Sequence, residues 1–135
     1  MKKYLFLFLA SITFIGCSND DDVVSDIPTS AKIIGIWNWV QSTGGIDGST
    51  THTPESTASI QRLEFTTDVM KRYYNNELFS DNSYTVETST SYLFNEDLEM
   101  IIEENNRNFI IRFEDNKMIL IGDCNDCYTS EYTRE

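Results

Sequence analysis

The chain has 135 residues, with 22 acidic against 10 basic side chains, a formal net charge of −12, three cysteines and one histidine. This balance argues against nucleic acid or an anionic membrane surface as a partner, because both are held by basic patches. The length allows one domain once the leading segments are set aside.

Residues 1–16 read as a signal peptide. Met1-Lys2-Lys3 is basic, Tyr4 to Ile15 is an almost unbroken apolar run, and Gly16 is small. The run is shorter than the roughly 20 residues that a membrane-crossing helix needs. Without these residues, which hold two lysines and no acid, the net charge moves from −12 to −14. Phe14-Ile15-Gly16-Cys17 resembles the bacterial lipobox, with Phe14 where leucine is usual. The resemblance implies acylation of Cys17 and attachment to the outer membrane through lipid alone. Each buried acyl CH₂ contributes about 0.8 kcal/mol, and stable anchoring takes two or more chains. Ser18-Asn19-Asp20-Asp21-Asp22 is polar and cannot pack. It is either a solvated spacer or, by its resemblance to the surface-export signal of some Gram-negative lipoproteins, an address for the outer face of that membrane. Either way residues 17–29 form a linker, and residues 30–135 form the folded domain.

Residues 30–34 suit one helical turn capped by Thr29 or Ser30 and ended by Gly35. Strand 1 is expected over 36–42, with Trp37, Trp39 and Gln41 on one face. A loop rich in Gly, Ser and Thr follows over 43–57, long enough to be functional or mobile. From residue 58 the alternation predicts a meander. Its strands fall at 59–66, with Leu63 and Phe65 inward, at 69–75, at 83–88 after a Ser80-Asp81-Asn82 turn, and around 91–95. In the next hairpin Leu98, Met100 and Ile102 alternate with Glu99 and Glu103, Asn105-Asn106 turns, and Phe109, Ile111 and Phe113 alternate with Asn108, Ile110 and Arg112. Strands at 118–122 and 128–134 close the chain, the last with Tyr128, Tyr132 and Arg134 on one face. About eight short antiparallel strands without any sustained helical period give an all-β, up-and-down barrel, with a sandwich as the alternative.

Gly35-Ile36-Trp37 ahead of a meander ending in Tyr132-Thr133-Arg134 resembles the lipocalin-type pattern. More closely, Ile34-Gly35-Ile36-Trp37, the Thr43-Gly44-Gly45-Ile46 loop with Thr53-Pro54, and the terminal Tyr-x-Arg resemble the lipocalin-like domain of Gram-negative lipoproteins. The resemblance spans about residues 32–134. It implies a barrel closed at one end by Gly35, Trp37 and Arg134, with an internal site for a small apolar ligand. An arginine over an indole face contributes about 0.5–2 kcal/mol, and a structural role for the pair outweighs a binding role.

Cys124-Asn125-Asp126-Cys127 lacks the four ligands of a structural zinc site, since Cys17 is assigned to lipid and His52 is the one histidine. Asp123 and Asp126 disfavour a reactive thiolate. In an exported protein a disulfide closing the last hairpin is the best reading, ahead of two free thiols and a catalytic pair. Glu96-Asp97-Glu99 and Glu103-Glu104 read as a solvated face rather than paired catalytic carboxylates. No phosphate loop, nucleophile elbow or metal-binding His pair occurs, so neither an enzyme nor a cofactor or metal site is expected. Two functions remain. Trp39, Leu63, Phe65, Tyr84, Met100, Ile102, Phe109 and Ile111 form the wall of a site for a small apolar or amphipathic molecule, or they fill the barrel and the acidic loops bind a protein or glycan. An eight-stranded barrel is wide enough for either.

Overall fold

The computed structural model describes residues 27–135. The segment read as a signal peptide, the expected lipidation residue Cys17 and most of the expected linker lie outside the described residues. The elements are α1 (Thr29–Lys32), β1 (Gly35–Gly44), β2 (Thr50–His52), α2 (Pro54–Thr57), β3 (Gln61–Phe65), β4 (Val69–Tyr74), β5 (Glu77–Thr90), β6 (Asp97–Glu103), β7 (Asn108–Glu114), β8 (Lys117–Gly122) and β9 (Tyr128–Arg134). Every pairing is antiparallel, in the order β2-β1-β3-β4-β5-β6-β7-β8-β9, and β9 returns to β1. The result is a closed eight-stranded up-and-down barrel with β2 added beside the end of β1. Closure leaves the barrel strands with no long free edge.

Tight turns set the register. Asn75 and Asn76 at φ 49° and 67° join β4 to β5, while Asn106 (62°) and Asp115 (52°) serve the β6–β7 and β7–β8 hairpins. Asn and Asp tolerate this left-handed region better than other side-chain-bearing residues. Alternation then sends Leu63, Phe65, Met70, Tyr84, Ile101, Ile111, Met118 and Leu120 into one interior cluster with Trp37 and Ile33. Ile33, Met70, Ile101 and Met118 are fully buried, each contributing about 1.5–3 kcal/mol by leaving water. Phe65 meets Tyr84 edge to face at 5.3 Å, and the Tyr84 hydroxyl donates to the Thr66 carbonyl at 2.6 Å.

Several expectations need correcting. The loop expected over 43–57 is largely structured. β1 runs on to Gly44, β2 pairs with it, and α2 opens with a reciprocal Thr53–Ser56 capping box and a proline in its first turn. The turn expected at Ser80-Asp81-Asn82 is instead continuous β5. Ser80 pairs with Arg72 and Asn82 with Met70, so cross-strand pairing outweighs local turn chemistry, and a bulge near Arg72/Tyr73 absorbs the mismatch. The strand expected around 91–95 is a turn. Its Ser91 hydroxyl and the Tyr92 and Leu93 amides all donate to the Asp123 carboxylate, at 2.7, 2.8 and 3.0 Å.

The phase of β6 is also reversed. Val86 pairs with Ile101 and Tyr84 with Glu103, so Ile101 and Glu103 face inward, and Met100 and Ile102 take the opposite phase. Apolar alternation could not reveal this, because Met100, Ile101 and Ile102 are consecutive and Glu103 looked like an outward residue.

Candidate functional site

One end of the barrel is plugged. α1 delivers Ile33 into the interior, and the Trp37 indole Nε1 donates to the Ile33 carbonyl at 2.7 Å. The Arg134 guanidinium stacks 4.4 Å from the Trp37 ring centroid and donates to the carbonyls of Ile34, at 3.0 Å, and of Lys32. Gly35 leaves the room, since a Cβ there would stand 3.0 Å from the Arg134 guanidinium, at a φ of +135°. A hollow of about 270 Å³ lies beside this plug, lined partly by Trp37, Phe113, Lys117 and Arg134. Among its cations, Arg134 is committed to the main-chain carbonyls and Lys117 to the Glu131 carboxylate at 2.9 Å.

Above the apolar cluster lies a buried ion pair. Glu103 is 0% exposed through its side chain and Arg72 is 18% exposed. Two guanidinium nitrogens of Arg72 donate to the two oxygens of Glu103, while Asn82 and Asn105 donate to Oε2 at 3.2 and 3.3 Å. Four donors on one carboxylate meet the condition under which a buried charge is tolerated. The Arg72 guanidinium carbon also lies 5.8 Å from the Phe109 ring centroid. Burial pushes the Tyr132 phenol up from its ordinary value, partly offset by Arg72 and a hydrogen bond with Ser130. The pair thus forms a charge-neutral floor between core and mouth.

Two hollows open at the other end. One, of about 340 Å³, is lined by residues that include Trp39, Ser42, His52, Gln61, Tyr128 and Ser130. The other, of about 470 Å³, shares Tyr128 and Ser130 with the first and adds Phe109, Gly122 and the disulfide-bearing turn. Hydrogen bonds preset the polar groups of the first hollow. Trp39 Nε1 donates to Ser42 Oγ at 2.9 Å, and Ser42 Oγ lies 2.7 Å from Ser130 Oγ. The His52 and Tyr128 rings lean together at 5.6 Å, with Tyr128 Oη 3.5 Å from His52 Nε2. β2 sets that imidazole beside Ser42, because Ser42 pairs with His52 and both take the same phase.

Cys124 and Cys127 are joined by a disulfide with Cα atoms 5.4 Å apart. Its turn packs tightly on neighbouring glycines. A Cβ on Gly122 would meet Cys127 Cβ at 2.8 Å, and one on Gly44 would meet the Cys127 carbonyl oxygen at 2.5 Å. Burial raises the pKa of the adjacent Asp123, but the hydrogen bonds from Tyr92, Ser91 and Leu93 outweigh this and hold it below the usual carboxylate range.

The residues expected to form a ligand wall divide three ways. Leu63, Phe65, Tyr84 and Ile111 belong to the filled core. Met100 and Ile102 lie on the opposite phase and so do not line the lumen. Trp39 and Phe109 reach the mouth. Sequence reasoning missed the Arg72–Glu103 pair and the contributions of Ser42, His52, Gln61 and Ser130. The place of Ser130 between Tyr128 and Tyr132, on the same face of the last strand, carried the available signal for that last residue. Among the described residues no group of three or more His, Cys, Asp or Glu side chains could hold a metal ion, and no helix is long and apolar enough to cross a membrane. Comparison of the chain with family models, with curated proteins and with solved structures finds no match in any of the three.

Proposed function

We propose that this chain is an exported, lipid-anchored protein of lipocalin-like type that binds a small ring-bearing amphipathic molecule at the barrel mouth, without a chemical step. The division of the interior carries this reading. The plugged half is packed with Ile33, Phe65, Met70, Ile101 and Met118, each at most 2% exposed, whereas the mouth keeps two adjoining hollows walled by Trp39, Phe109 and Tyr128. Concave sites with aromatic walls and a few fixed polar groups are the usual form of small-molecule sites. A ligand would rest at the opening above the Arg72–Glu103 floor and not descend through the barrel.

Native mass spectrometry of the full chain, purified from its own host, tests the proposal. An additional mass that is lost on unfolding and absent from a Tyr128→Ala variant supports it, with Phe79→Ala as the control, since Phe79 is exposed and lines neither hollow. Bare chain from all three proteins, even after incubation with octyl glucoside and with N-phenyl-1-naphthylamine, overturns it.

A further inference from the structure

The lining of the 340 Å³ hollow stands apart from the rest of this acidic chain. Among the described residues, none of the side chains lining it carries a carboxylate, an ammonium or a guanidinium. Three rings, from Trp39, His52 and Tyr128, face three aliphatic hydroxyls, from Ser42, Ser130 and Thr57, and the Gln61 amide. An apolar tail gains nothing from such hydroxyls, which already have protein partners, and would strip the Gln61 amide of water, at a cost of about 1–3 kcal/mol for a polar group left unpaired. An ionic head group finds no counter-charge in the lining. The floor charge is already neutralised, since Glu103 holds Arg72 through both oxygens.

A molecule that matches this lining has one apolar face to lie on a ring, hydroxyls around its rim and no net charge. Resting on the proposal that the mouth binds a small ligand, we infer that this hollow takes a neutral saccharide unit. The axial C–H face of a pyranose packs on an aromatic face, and its hydroxyls both donate and accept, as do Ser42, Ser130 and Gln61. Ser42 and Ser130 already bond to each other at 2.7 Å, with Trp39 Nε1 donating to Ser42 at 2.9 Å, so their hydroxyls are oriented before the ligand arrives. Such preorganisation lowers the ordering cost of binding. The volume suits one or two sugar rings.

Titration of the full chain, followed by tryptophan fluorescence and by the indole N–H resonance of Trp39, tests the inference. The probes are a panel of neutral mono- and disaccharides of glucose, galactose, mannose and N-acetylglucosamine, with glucuronate and glucosamine as charged counterparts and N-phenyl-1-naphthylamine as a neutral apolar probe. At least one neutral sugar should saturate the Trp39 signal, and its charged counterpart should bind more weakly. Gln61→Leu should reduce sugar affinity about tenfold, the loss of one net hydrogen bond, while leaving the apolar probe unchanged. Response to the apolar probe alone overturns the saccharide assignment and leaves the mouth as a binding site. Response to no probe overturns both. Equal loss of sugar and apolar-probe binding in Gln61→Leu, with a lowered melting point, would show that Gln61 supports the fold. Ser130→Ala then decides, because a sugar affinity unchanged by that smaller deletion contradicts the inference.

Discussion

Replacing Arg72 by methionine removes the cation from Glu103 while nearly preserving side-chain volume. The carboxylate keeps Asn82 and Asn105 at 3.2 and 3.3 Å but loses both guanidinium bonds, in a site where its side chain is 0% exposed. Stripping one partner from a buried pair costs about 3–5 kcal/mol, and the 18% exposure of Arg72 places the cost towards the lower end. Against a total stability of about 5–15 kcal/mol for a domain, this is a large fraction, about 12–20 °C in melting temperature. Glu103→Gln retains shape and some acceptor capacity and should cost about 1–3 kcal/mol. The Arg72→Met/Glu103→Met double variant should recover most of the loss, because an apolar pair of similar volume carries no desolvation penalty. Urea denaturation of the parent, Arg72→Met, Glu103→Met and the double variant completes a double-mutant cycle. A cost below about 1 kcal/mol for Arg72→Met, the range of solvent-exposed pairs, would refute a buried floor.

Three other perturbations address the plug and the turns at the rim. Arg134→Ala removes the stack on Trp37 and two bonds to main-chain carbonyls. A loss of about 1–3 kcal/mol is expected, and an unchanged melting point would exclude a closing role. Gly44→Ala sets a Cβ 2.5 Å from the Cys127 carbonyl oxygen at a φ of +150°, so urea denaturation should show a loss of about 2–4 kcal/mol. A loss within about 0.5 kcal/mol would mean that the disulfide-bearing turn is free to move. Docking of the 91–93 turn should depend on acid, because Asp123 is held below the usual carboxylate range by the donors from that turn, against the opposing effect of burial. A proton binds the released carboxylate more readily than the docked one, so docking is fully favoured above the ordinary carboxylate pKa of about 3.9 and is lost as pH falls through the lowered value. Amide exchange protection at Tyr92 and Leu93 should follow that profile and vanish in Asp123→Ala; persistent protection in that variant contradicts it.

The barrel was legible because its strands alternate cleanly where one face is buried, as in Leu63 with Phe65 and in Phe109 with Ile111 and Phe113. Turn residues at Asn75-Asn76, Asn105-Asn106 and Asp115-Asn116 mark the hairpins for a physical reason, their tolerance of positive φ. Legibility failed where local chemistry pointed one way and tertiary pairing the other. Ser80-Asp81-Asn82 carries turn residues yet runs through β5, and three consecutive apolar residues in β6 hid its phase. Glu103 resembled its solvated neighbour Glu104 until the fold brought Arg72, distant in sequence, against it. The mouth was least legible, because it is built from common residues such as Ser42, Gln61 and Ser130, whose meaning comes from a shared hollow rather than a motif.

The chain contains two tryptophans, neighbours on one face of β1, with Trp37 bonded into the plug and Trp39 into the mouth. Trp37 Nε1 is bonded to the Ile33 carbonyl in the plug, and Trp39 Nε1 to Ser42 at the mouth. Titrating the ¹⁵N-labelled full chain with octyl glucoside below its micelle concentration reads both sites in one spectrum. Binding at an open mouth above a packed core requires the Trp39 indole signal to move and saturate while that of Trp37 stays in place. A saturable shift of Trp37, or two signals that remain still, would contradict that division of the barrel.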